Sequence, residues 1–340
     1  MSEAVLITGA TGFIGGLIVD RLLSDPRPVR ALVLDDPPAE RLAAERLAER
    51  GVDTVIGSLD DEESLARAAD GCDVVYHLAG INRMCAPDPS LLYRVNADGT
   101  RRMLSAAVRA GVRRFVYTSS AAVFDGDGMK FLDESAPWPD PASMTSHYAR
   151  SKLEAEQIAM GFQGIDVVIL NPASVQGPGR TTGTAKMFID YLNGRLPFDV
   201  PAHFGVCYTE DCVNGHLLAE AKGEPGQRYI LNTATMTGSE AIGIVADIAG
   251  LTDRPRTLPV PVAMTAATVV EAIAGLRRRT AGNCRESIRT LTHPHLYDGT
   301  KAERNLGLRY TPLRDALEAT VRWYVAQGLI HRPLPNLQRD

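Results

Sequence analysis

The sequence predicts an α/β protein: a doubly wound parallel sheet, followed by a smaller, mixed α/β C-terminal region. Short, continuously apolar segments alternate with segments of helical spacing through the first half of the chain. This alternation is typical of a parallel sheet with helices on both faces. A glycine-rich turn joins the first strand to the first helix, and right-handed crossovers make a doubly wound sheet the simplest topology.

Six strands and five helices are predicted in this first half. The strands are residues 4–8, 29–34, 53–56, 74–78, 115–119 and 166–170, and the helices are residues 12–23, 39–50, 62–69, 92–110 and 148–160. After residue 172 the chain becomes irregular and rich in glycine and proline, which indicates a domain boundary. We predict domains at 1–171 and 172–340, with some later segments able to return to the first domain. The second domain is predicted to contain helices at 185–192, 213–221, 240–248 and 313–327.

Composition and charge exclude several classes of protein. Apolar residues make up 45% and charged residues 23% of the 340 residues, as in folded proteins with a large core. The net charge of −5, without a block of Lys and Arg, removes the main argument for nucleic-acid binding. The longest apolar stretch, 259–274, is shorter than the ~20 residues of a membrane span, and no signal peptide is visible. We therefore predict a cytoplasmic protein without a membrane span, and expect the basic run 277–279 to be a solvated helix end.

The cysteines predict neither a disulfide framework nor a metal site. Their number is odd, and no two of them form a Cys-x-x-Cys pair: Cys72, Cys85, Cys207, Cys212 and Cys284. Free thiols in a reducing cytoplasm are therefore expected. No spacing of Cys and His matches a zinc site.

The turn after the first strand has the spacing of a dinucleotide-binding loop. Gly9, Gly12 and Gly15 are three residues apart, between a strand and a helix. Glycines here let the backbone approach a pyrophosphate, which the helix N-terminus stabilises. Asp35 follows Gly15 by 20 residues, where a carboxylate binds the ribose hydroxyls of NAD and repels the 2′-phosphate of NADP; a solvated loop acid is the alternative. Ser58, after the third strand, is a weaker candidate for a contact with the adenine.

Tyr148 and Lys152 lie four residues apart in a predicted helix, so their side chains share one face. A tyrosine is a poor acid or base near neutral pH unless a nearby cation stabilises its phenolate, and Lys152 is placed to do so. Ser120 follows the fifth strand, and Asn96 lies in the helix before that strand. Open α/β sheets hold their ligands at the carboxyl ends of the strands, so we expect these polar groups near that edge.

Several motifs together resemble one enzyme family over nearly the whole chain. They are TGATGFIG (8–15), YHLAG (76–80), NADGT (96–100), FVYTSSAAVF (115–124), YARSK (148–152), LNPASVQGPG (170–179), YTEDCVNGHLLA (208–219), QRYILN (227–232) and YDGTKAERNLGLRY (297–310). The chain is similar to extended short-chain dehydrogenases/reductases of the NAD-dependent epimerase/dehydratase superfamily. Segments 86–100 and 192–198 resemble the branch of dihydroflavonol reductase-like, 3β-hydroxysteroid dehydrogenase-like and hopanoid-associated sugar epimerase-like enzymes.

The resemblance implies a Rossmann fold, a homodimer and a nicotinamide cofactor; Asp35 indicates NAD as this cofactor, with NADP as the alternative. It implies that Ser120, Tyr148 and Lys152 are catalytic and that Asn96 completes a proton relay through water. The implied cofactor contacts are Gly9, Thr11, Gly12, Phe13, Ile14, Gly15, Asp35, Ser58, Leu59, Leu78, Ala79, Gly80, Asn96, Thr118, Tyr148, Lys152, Asn171, Pro172 and Ser174. The implied substrate contacts are Asn82, Ser120, Ala121, Gln176, Arg180 and Arg195.

The chain departs from this branch at three positions. The branch often has Arg after the second strand, where this chain has Leu34 followed by Asp35. It often has Asp at the position of Ser58 and Tyr at the position of Gln176. These differences affect the expected cofactor preference and the substrate pocket.

The type of reaction stays open between three functions. Nucleotide-sugar dehydratases resemble one another in an Asp-Glu pair after the catalytic Ser/Thr, whereas Ala121 and Ala122 follow Ser120 here. Residues 203–210 contain no Arg for a substrate diphosphate, so we predict an oxidoreductase that interconverts a carbonyl and an alcohol on a fairly bulky substrate. Three other arginines could bind a diphosphate: Arg180, Arg195 and Arg228. The alternatives are a nucleotide-sugar epimerase with tightly bound NAD and a dinucleotide-binding regulator without catalysis.

Overall fold

A computed structural model describes residues 4–126, 128–276 and 284–337 of the chain. The strands in these ranges are β1 (Ala4–Thr8), β2 (Val29–Val33), β3 (Asp53–Ile56), β4 (Cys72–His77), β5 (Arg114–Thr118), β6 (Asp166–Pro172), β7 (Ser174–Gln176), β8 (Phe198–Asp199), β9 (His203–Tyr208), β10 (Gln227–Leu231), β11 (Ala234–Thr237) and β12 (Arg256–Thr257).

The helices are α1 (Phe13–Leu22), α2 (Pro38–Glu49), α3 (Glu62–Ala69), α4 (Ser90–Tyr93), α5 (Gly99–Arg109), α6 (His147–Gly161), α7 (Thr184–Leu192), α8 (Thr209–Lys222), α9 (Gly238–Ala249), α10 (Val260–Leu276), α11 (Arg285–Thr292) and α12 (Leu313–Ala326). A wide π turn at Arg94–Asp98 joins α4 to α5. The predicted helix 92–110 is therefore present, but with this turn inside it.

The centre of the molecule is a seven-stranded parallel sheet in the order β3-β2-β1-β4-β5-β6-β10. The predicted fold class is confirmed, and the six predicted strands are present with ends shifted by at most two residues. After β1 the chain builds the sheet in one direction through β2 and β3, and from β4 onward it builds in the other. The connections at the carboxyl ends of β1 and β4 therefore diverge, which opens a crevice there.

The seventh strand, β10, was not predicted from the sequence. It pairs with β6 along its whole length, and α8 packs on the same side of the sheet as α1. Both elements follow residue 172, so the chain returns to the main sheet after the predicted boundary. A second core forms around α7, α9 and α12, beside a small sheet in the order β11-β9-β7.

Two cysteines contradict the prediction of five free thiols. Cys85, in the loop after β4, forms a disulfide with Cys284 at the start of α11, whereas the other three cysteines are free and buried. The two partners are 199 residues apart. Only the fold of the chain as a whole brings them together, and no local spacing indicates this.

None of the described helices combines the length and apolar character needed to cross a bilayer. Within the described ranges, no group of three or more His, Cys, Asp or Glu side chains is arranged to hold a metal ion. The basic run 277–279 lies outside the described residues.

Candidate active site

The glycine turn after β1 is shaped by close backbone contacts. Gly9 has a φ of +75°, and a Cβ atom at this position would lie 2.7 Å from the backbone nitrogen of Ala79. A Cβ atom on Gly15 would collide with the carbonyl group of Gly9. Gly12 caps α1, whose first amide groups have no acceptor within the helix. These residues fit a dinucleotide, because the turn leaves room for a diphosphate against the positive end of α1.

A buried histidine at the end of β4 connects the end of β1 to α5. His77 ends β4, and its Nδ1 atom accepts a hydrogen bond from Thr8 Oγ1 at 2.7 Å. The Thr100 hydroxyl donates to the carbonyl of Asn96, so it accepts from His77 Nε2 at 3.1 Å. Burial lowers the pKa of His77 to about 3, so the ring stays neutral near pH 7. His77 lies within the motif YHLAG (76–80), but it is not among the predicted site residues.

Asn96 lies in the π turn and is almost fully buried. Its Oδ1 atom accepts from the backbone nitrogen of Ile81 at 2.8 Å. Its Nδ2 atom donates to the carbonyl of Ile81 at 3.1 Å and to Ser151 Oγ at 2.9 Å. Ser151 in turn donates to the carbonyl of Tyr148 at 2.8 Å. Asn96 thus joins the loop after β4 to the first turn of α6, and its part in a water relay stays a prediction.

Ser120 and Tyr148 face each other across the carboxyl edge of the sheet. Ser120 follows β5, and its Oγ atom accepts from the backbone nitrogen of Ala122 at 3.2 Å. Tyr148 lies in the first turn of α6, which Ser146 caps by accepting from the nitrogen of Ala149. Burial raises the pKa of Tyr148 above its ordinary value, while a hydrogen bond with Ser120 and the positive charge of Arg180 lower it.

Lys152 lies one turn further along α6 and is 6% exposed. Its Nζ atom donates to the carbonyl of Thr118 at 2.7 Å and lies 4.5 Å from the centre of the Tyr117 ring. Burial lowers the pKa of Lys152 to about 7, against the opposing effect of the Glu156 carboxylate. The ammonium group can therefore change charge near neutral pH.

Arg228 cannot bind a substrate diphosphate, which corrects the suggestion from the sequence. Its Nη1 atom lies 3.2 Å from Glu156 Oε1, inside the protein, and its Nη2 atom donates to the carbonyls of Glu134 and Ala136. Asn171 donates to the second oxygen of Glu156 at 2.6 Å. Both terminal nitrogens of the guanidinium therefore have partners inside the protein, and the ion pair holds β10 against α6.

The region expected to hold the adenosine ribose contains charges of both signs. Asp35 is exposed, and its Oδ1 atom lies 2.9 Å from Arg41 Nε. Thr11 donates to Glu40 Oε2 at 2.7 Å. Ser58 Oγ accepts from the backbone nitrogen of Asp60 at 3.2 Å. Arg41 beside Asp35 partly neutralises the carboxylate that was expected to repel a 2′-phosphate.

The remaining predicted cofactor contacts gather at the carboxyl edge of the sheet. They follow or end β3, β4, β5 and β6, or begin β7: Leu59, Leu78, Ala79, Gly80, Thr118, Asn171, Pro172 and Ser174. Phe13 and Ile14 lie in the first turn of α1. The topology accounts for this gathering, since β3 to β6 are parallel strands of one sheet and β7 directly follows the end of β6.

The predicted substrate residues differ in burial and fall into three groups: buried, half-buried and exposed. Ala121 and Gln176 are buried beside the carboxyl edge of the sheet, and Gln176 donates to Ser174 Oγ at 3.0 Å. Arg180, after β7, is half-buried, with its guanidinium carbon 5.6 Å from the centre of the Phe13 ring. Asn82 is exposed in the loop after β4. Arg195 is exposed beyond the C-terminal end of α7 and pairs with Asp190 at 3.3 Å, so we assign it no part in the site.

Residues 5–232 match the model of the NAD dependent epimerase/dehydratase family. The chain belongs to this family. Because the match covers more than half of the chain, the resemblance inferred from the motifs is confirmed. Among its relatives, sterol demethylase protein B of Methylococcus capsulatus is 32% identical over 96% of this chain and 99% of that protein. A 3 beta-hydroxysteroid dehydrogenase/Delta 5-->4-isomerase of Mycobacterium tuberculosis is 31% identical over 68% of this chain and 65% of that protein.

Family members of known structure share the fold. The crystal structure of a double mutant of the dTDP-glucose 4,6-dehydratase DesIV from Streptomyces venezuelae, with NAD bound, matches with a TM-score of 0.73. That match is 26% identical in sequence and covers 96% of this chain and 99% of that one. Membership in the NAD dependent epimerase/dehydratase family makes this protein a short-chain dehydrogenase/reductase of the extended type.

Proposed function

We propose that the protein is an NAD(P)-dependent oxidoreductase that interconverts a carbonyl and a secondary alcohol on a fairly bulky small molecule. The observation that supports this most directly is the arrangement of Ser120, Tyr148 and Lys152 at the carboxyl edge of the sheet. The glycine turn for a dinucleotide opens on the same edge. The catalytic roles of these residues are part of the proposal.

In this mechanism, the bound nicotinamide supplies or accepts hydride at the reacting carbon. Tyr148 donates a proton to the carbonyl oxygen during reduction and removes it during oxidation. Ser120 donates a hydrogen bond to the same oxygen and so stabilises the negative charge that develops there. Lys152, in its protonated form, binds the nicotinamide ribose and returns the pKa of Tyr148 toward the working pH, where acid–base catalysis is most effective. Asn96 supports a water route for the proton.

The alternative, a nucleotide-sugar epimerase, has less support. Such a substrate needs cations for its diphosphate, but Arg228 is buried in an ion pair and Arg195 is on the surface. Only Arg180 among the three proposed arginines borders the site. An epimerase also returns its hydride to the same substrate, so it consumes no cofactor.

The consumption of cofactor tests the proposed function. Purified protein should oxidise NADH stoichiometrically with a ketone from a panel of steroid, aromatic and terpenoid carbonyls. Tyr148→Phe keeps the ring but removes the acid, so kcat should fall by about 10² to 10⁴, with little change in the Kd for NADH. Tightly held NAD, with interconversion of UDP-sugar epimers and no NADH consumption, would contradict the proposal.

We also propose a preference for NAD(H), supported by Asp35 at the ribose position. Its carboxylate should disfavour a 2′-phosphate, although Arg41 lies beside it. Dissociation constants should therefore be lower for NADH than for NADPH, and Asp35→Ala should reduce the difference. If NADPH binds more tightly to the wild-type protein and Arg41→Ala reverses this order, Arg41 is the phosphate ligand and the preference is wrong.

The assembly and location of the protein are proposals that follow from the family resemblance. We propose a homodimer, which sedimentation equilibrium would test directly. We also propose a cytoplasmic location, which cell fractionation would test.

A further inference from the structure

Arg180 occupies a position between the cofactor turn, the catalytic tyrosine and the second domain. It follows a Gly-Pro-Gly sequence after β7, and a Cβ atom on Gly179 would lie 2.7 Å from the ring of Phe13. A Cβ atom on Gly183, the residue that caps α7, would lie 3.5 Å from Arg180 Nη2. The guanidinium therefore lies at the N-terminal end of α7, between that helix and Phe13.

The charge of Arg180 has no counter-ion within the described residues. No carboxylate there lies within ion-pair distance of its guanidinium, and its Nε atom is buried without a hydrogen-bond partner among them. Arg27 and Arg228, which are also largely buried, each pair with a glutamate. Leaving a desolvated charge unpaired is costly, and burial lowers the pKa of Arg180 accordingly. Such a residue is expected where a ligand supplies the missing charge.

The groups around Arg180 suit an anion near the reacting centre. Its positive charge acts on both Tyr148 and Tyr324: burial raises the pKa of each tyrosine, and the charge of Arg180 opposes this rise. Tyr324, on α12, is fully buried, and its hydroxyl has no partner among the described residues. The first turn of α7 adds backbone amide groups without acceptors inside the helix. A guanidinium, a hydroxyl without a partner among the described residues and a helix N-terminus thus lie close together near Tyr148.

We propose that Arg180 binds an anionic group of the substrate, a carboxylate or a phosphate, while Tyr148 acts on its carbonyl. This inference rests on the proposed function and narrows the substrate class to anionic carbonyl compounds or alcohols. The diphosphate of the cofactor offers the same chemistry, because Phe13 belongs to the glycine turn. We favour the substrate over the cofactor as the ligand of Arg180, because the charge of Arg180 acts on Tyr148 and on Tyr324 of α12.

Binding of a matched pair of ketones tests the proposal. The acid 4-benzoylbenzoate and its neutral analogue 4-benzoylbenzamide differ mainly in charge. Calorimetry with saturating NAD⁺, which cannot reduce either ketone, gives their dissociation constants without turnover. The wild-type protein should bind the acid at least tenfold more tightly than the amide. Arg180→Met should abolish this preference, and Arg180→Lys should keep part of it, while the Kd for NAD⁺ changes less than twofold.

Arg195→Met is the matched control, because Arg195 is exposed at the other end of α7. It should leave the acid-to-amide ratio unchanged. Equal or undetectable binding of both ketones by the wild-type protein would overturn the inference. A tenfold loss of NAD⁺ affinity in Arg180→Met with an unchanged ketone preference would do so too, and would assign Arg180 to the cofactor diphosphate. If the preference behaves as expected but no carbonyl is reduced by NADH, the proposed function fails and the anion site stands.

Discussion

Lys152 shows how burial sets the chemistry of a single side chain. In water its ammonium would stay charged at every physiological pH, but the enclosed position under Thr118 lowers its pKa to about 7. The buried Glu156 limits this decrease. Such a shifted pKa is typical of functional sites, and it is consistent with the proposed role of Lys152 beside Tyr148.

This pKa predicts a specific dependence of stability on pH. Between pH 7 and 10.5 the unfolded chain keeps the proton on Lys152 while the native protein releases it, so this residue makes stability rise with pH. Relative to Lys152→Met, the wild-type free energy of unfolding should increase by about 2 kcal/mol between pH 7 and pH 9. Urea unfolding of both proteins at the two pH values measures this difference.

The comparison of two proteins removes the effect of all other titrating groups. A constant difference between wild type and Lys152→Met across this range would show that Lys152 keeps its ordinary pKa in the native protein.

At the scale of single residues, contacts between positions close together in the chain could be predicted from the sequence. Contacts between positions that meet only in the fold could not. Tyr148 and Lys152 are one helical turn apart, so their proximity follows from helix geometry. The contact of Glu156 with Arg228 spans 72 positions. Its existence depends on β10 joining the main sheet beside β6, which no local pattern indicates. Arg228 was therefore named as a possible diphosphate ligand, whereas it forms a buried ion pair.

Among the elements, α6 and β10 are joined by this buried ion pair. Glu156 is fully buried on α6, and Arg228 on β10 also stacks over Phe124, with its guanidinium carbon 4.6 Å from the ring centre. Because α6 carries both Tyr148 and Lys152, the ion pair with β10 fixes the helix on which these proposed catalytic side chains lie.

Removing one partner of this pair should be strongly destabilising. Arg228→Met leaves the carboxylate of Glu156 buried without its cation, and the free energy of unfolding should fall by about 3–5 kcal/mol. The exposed pair of Arg322 with Glu318, four residues apart on α12, is the matched control. Arg322→Met should cost less than about 1 kcal/mol. Equal losses in the two variants would contradict the assigned role of burial.

The elements themselves were predicted unevenly, for physical reasons. The strands β1 to β6 are flanked by helices of clear periodicity, so their positions follow from the alternation. By contrast, β10 begins with the polar residues Gln and Arg and follows the irregular part of the chain after residue 172. Its strand conformation depends on pairing with β6, which is distant in the chain. The disposition of α11 against α6 depends in the same way on contacts between domains.

On the scale of the whole molecule, the segment that contains α11 is bonded to the start of α6, the helix that carries Tyr148 and Lys152. The Glu286 carboxylate accepts from the backbone nitrogen of Cys85 at 2.8 Å and from that of His147 at 2.7 Å. Arg289 donates to the carbonyl of Thr145 at 2.7 Å. The disulfide between Cys85 and Cys284 adds a covalent link at the same place.

Removal of this disulfide should lower the stability of the protein without changing its fold. A cross-link that closes a long loop restricts the unfolded chain, so Cys85→Ser with Cys284→Ser should reduce the free energy of unfolding by about 2–4 kcal/mol. Treatment of the wild-type protein with a reductant should produce the same loss, and the double variant should not respond to it. Thiol titration of the denatured, unreduced wild type should find three thiols; five would contradict the disulfide.

The same disulfide determines which parts of the chain can be extended by a pulling force. Asn96, Ser120, Tyr148 and Lys152 all lie inside the covalent ring closed by Cys85 and Cys284, whereas the glycine turn lies outside it. A force applied to the two ends would extend only the 84 residues before Cys85 and the 56 residues after Cys284. Such a force would therefore pull the glycine turn away from these four side chains, which would stay within a loop that the disulfide keeps from being extended.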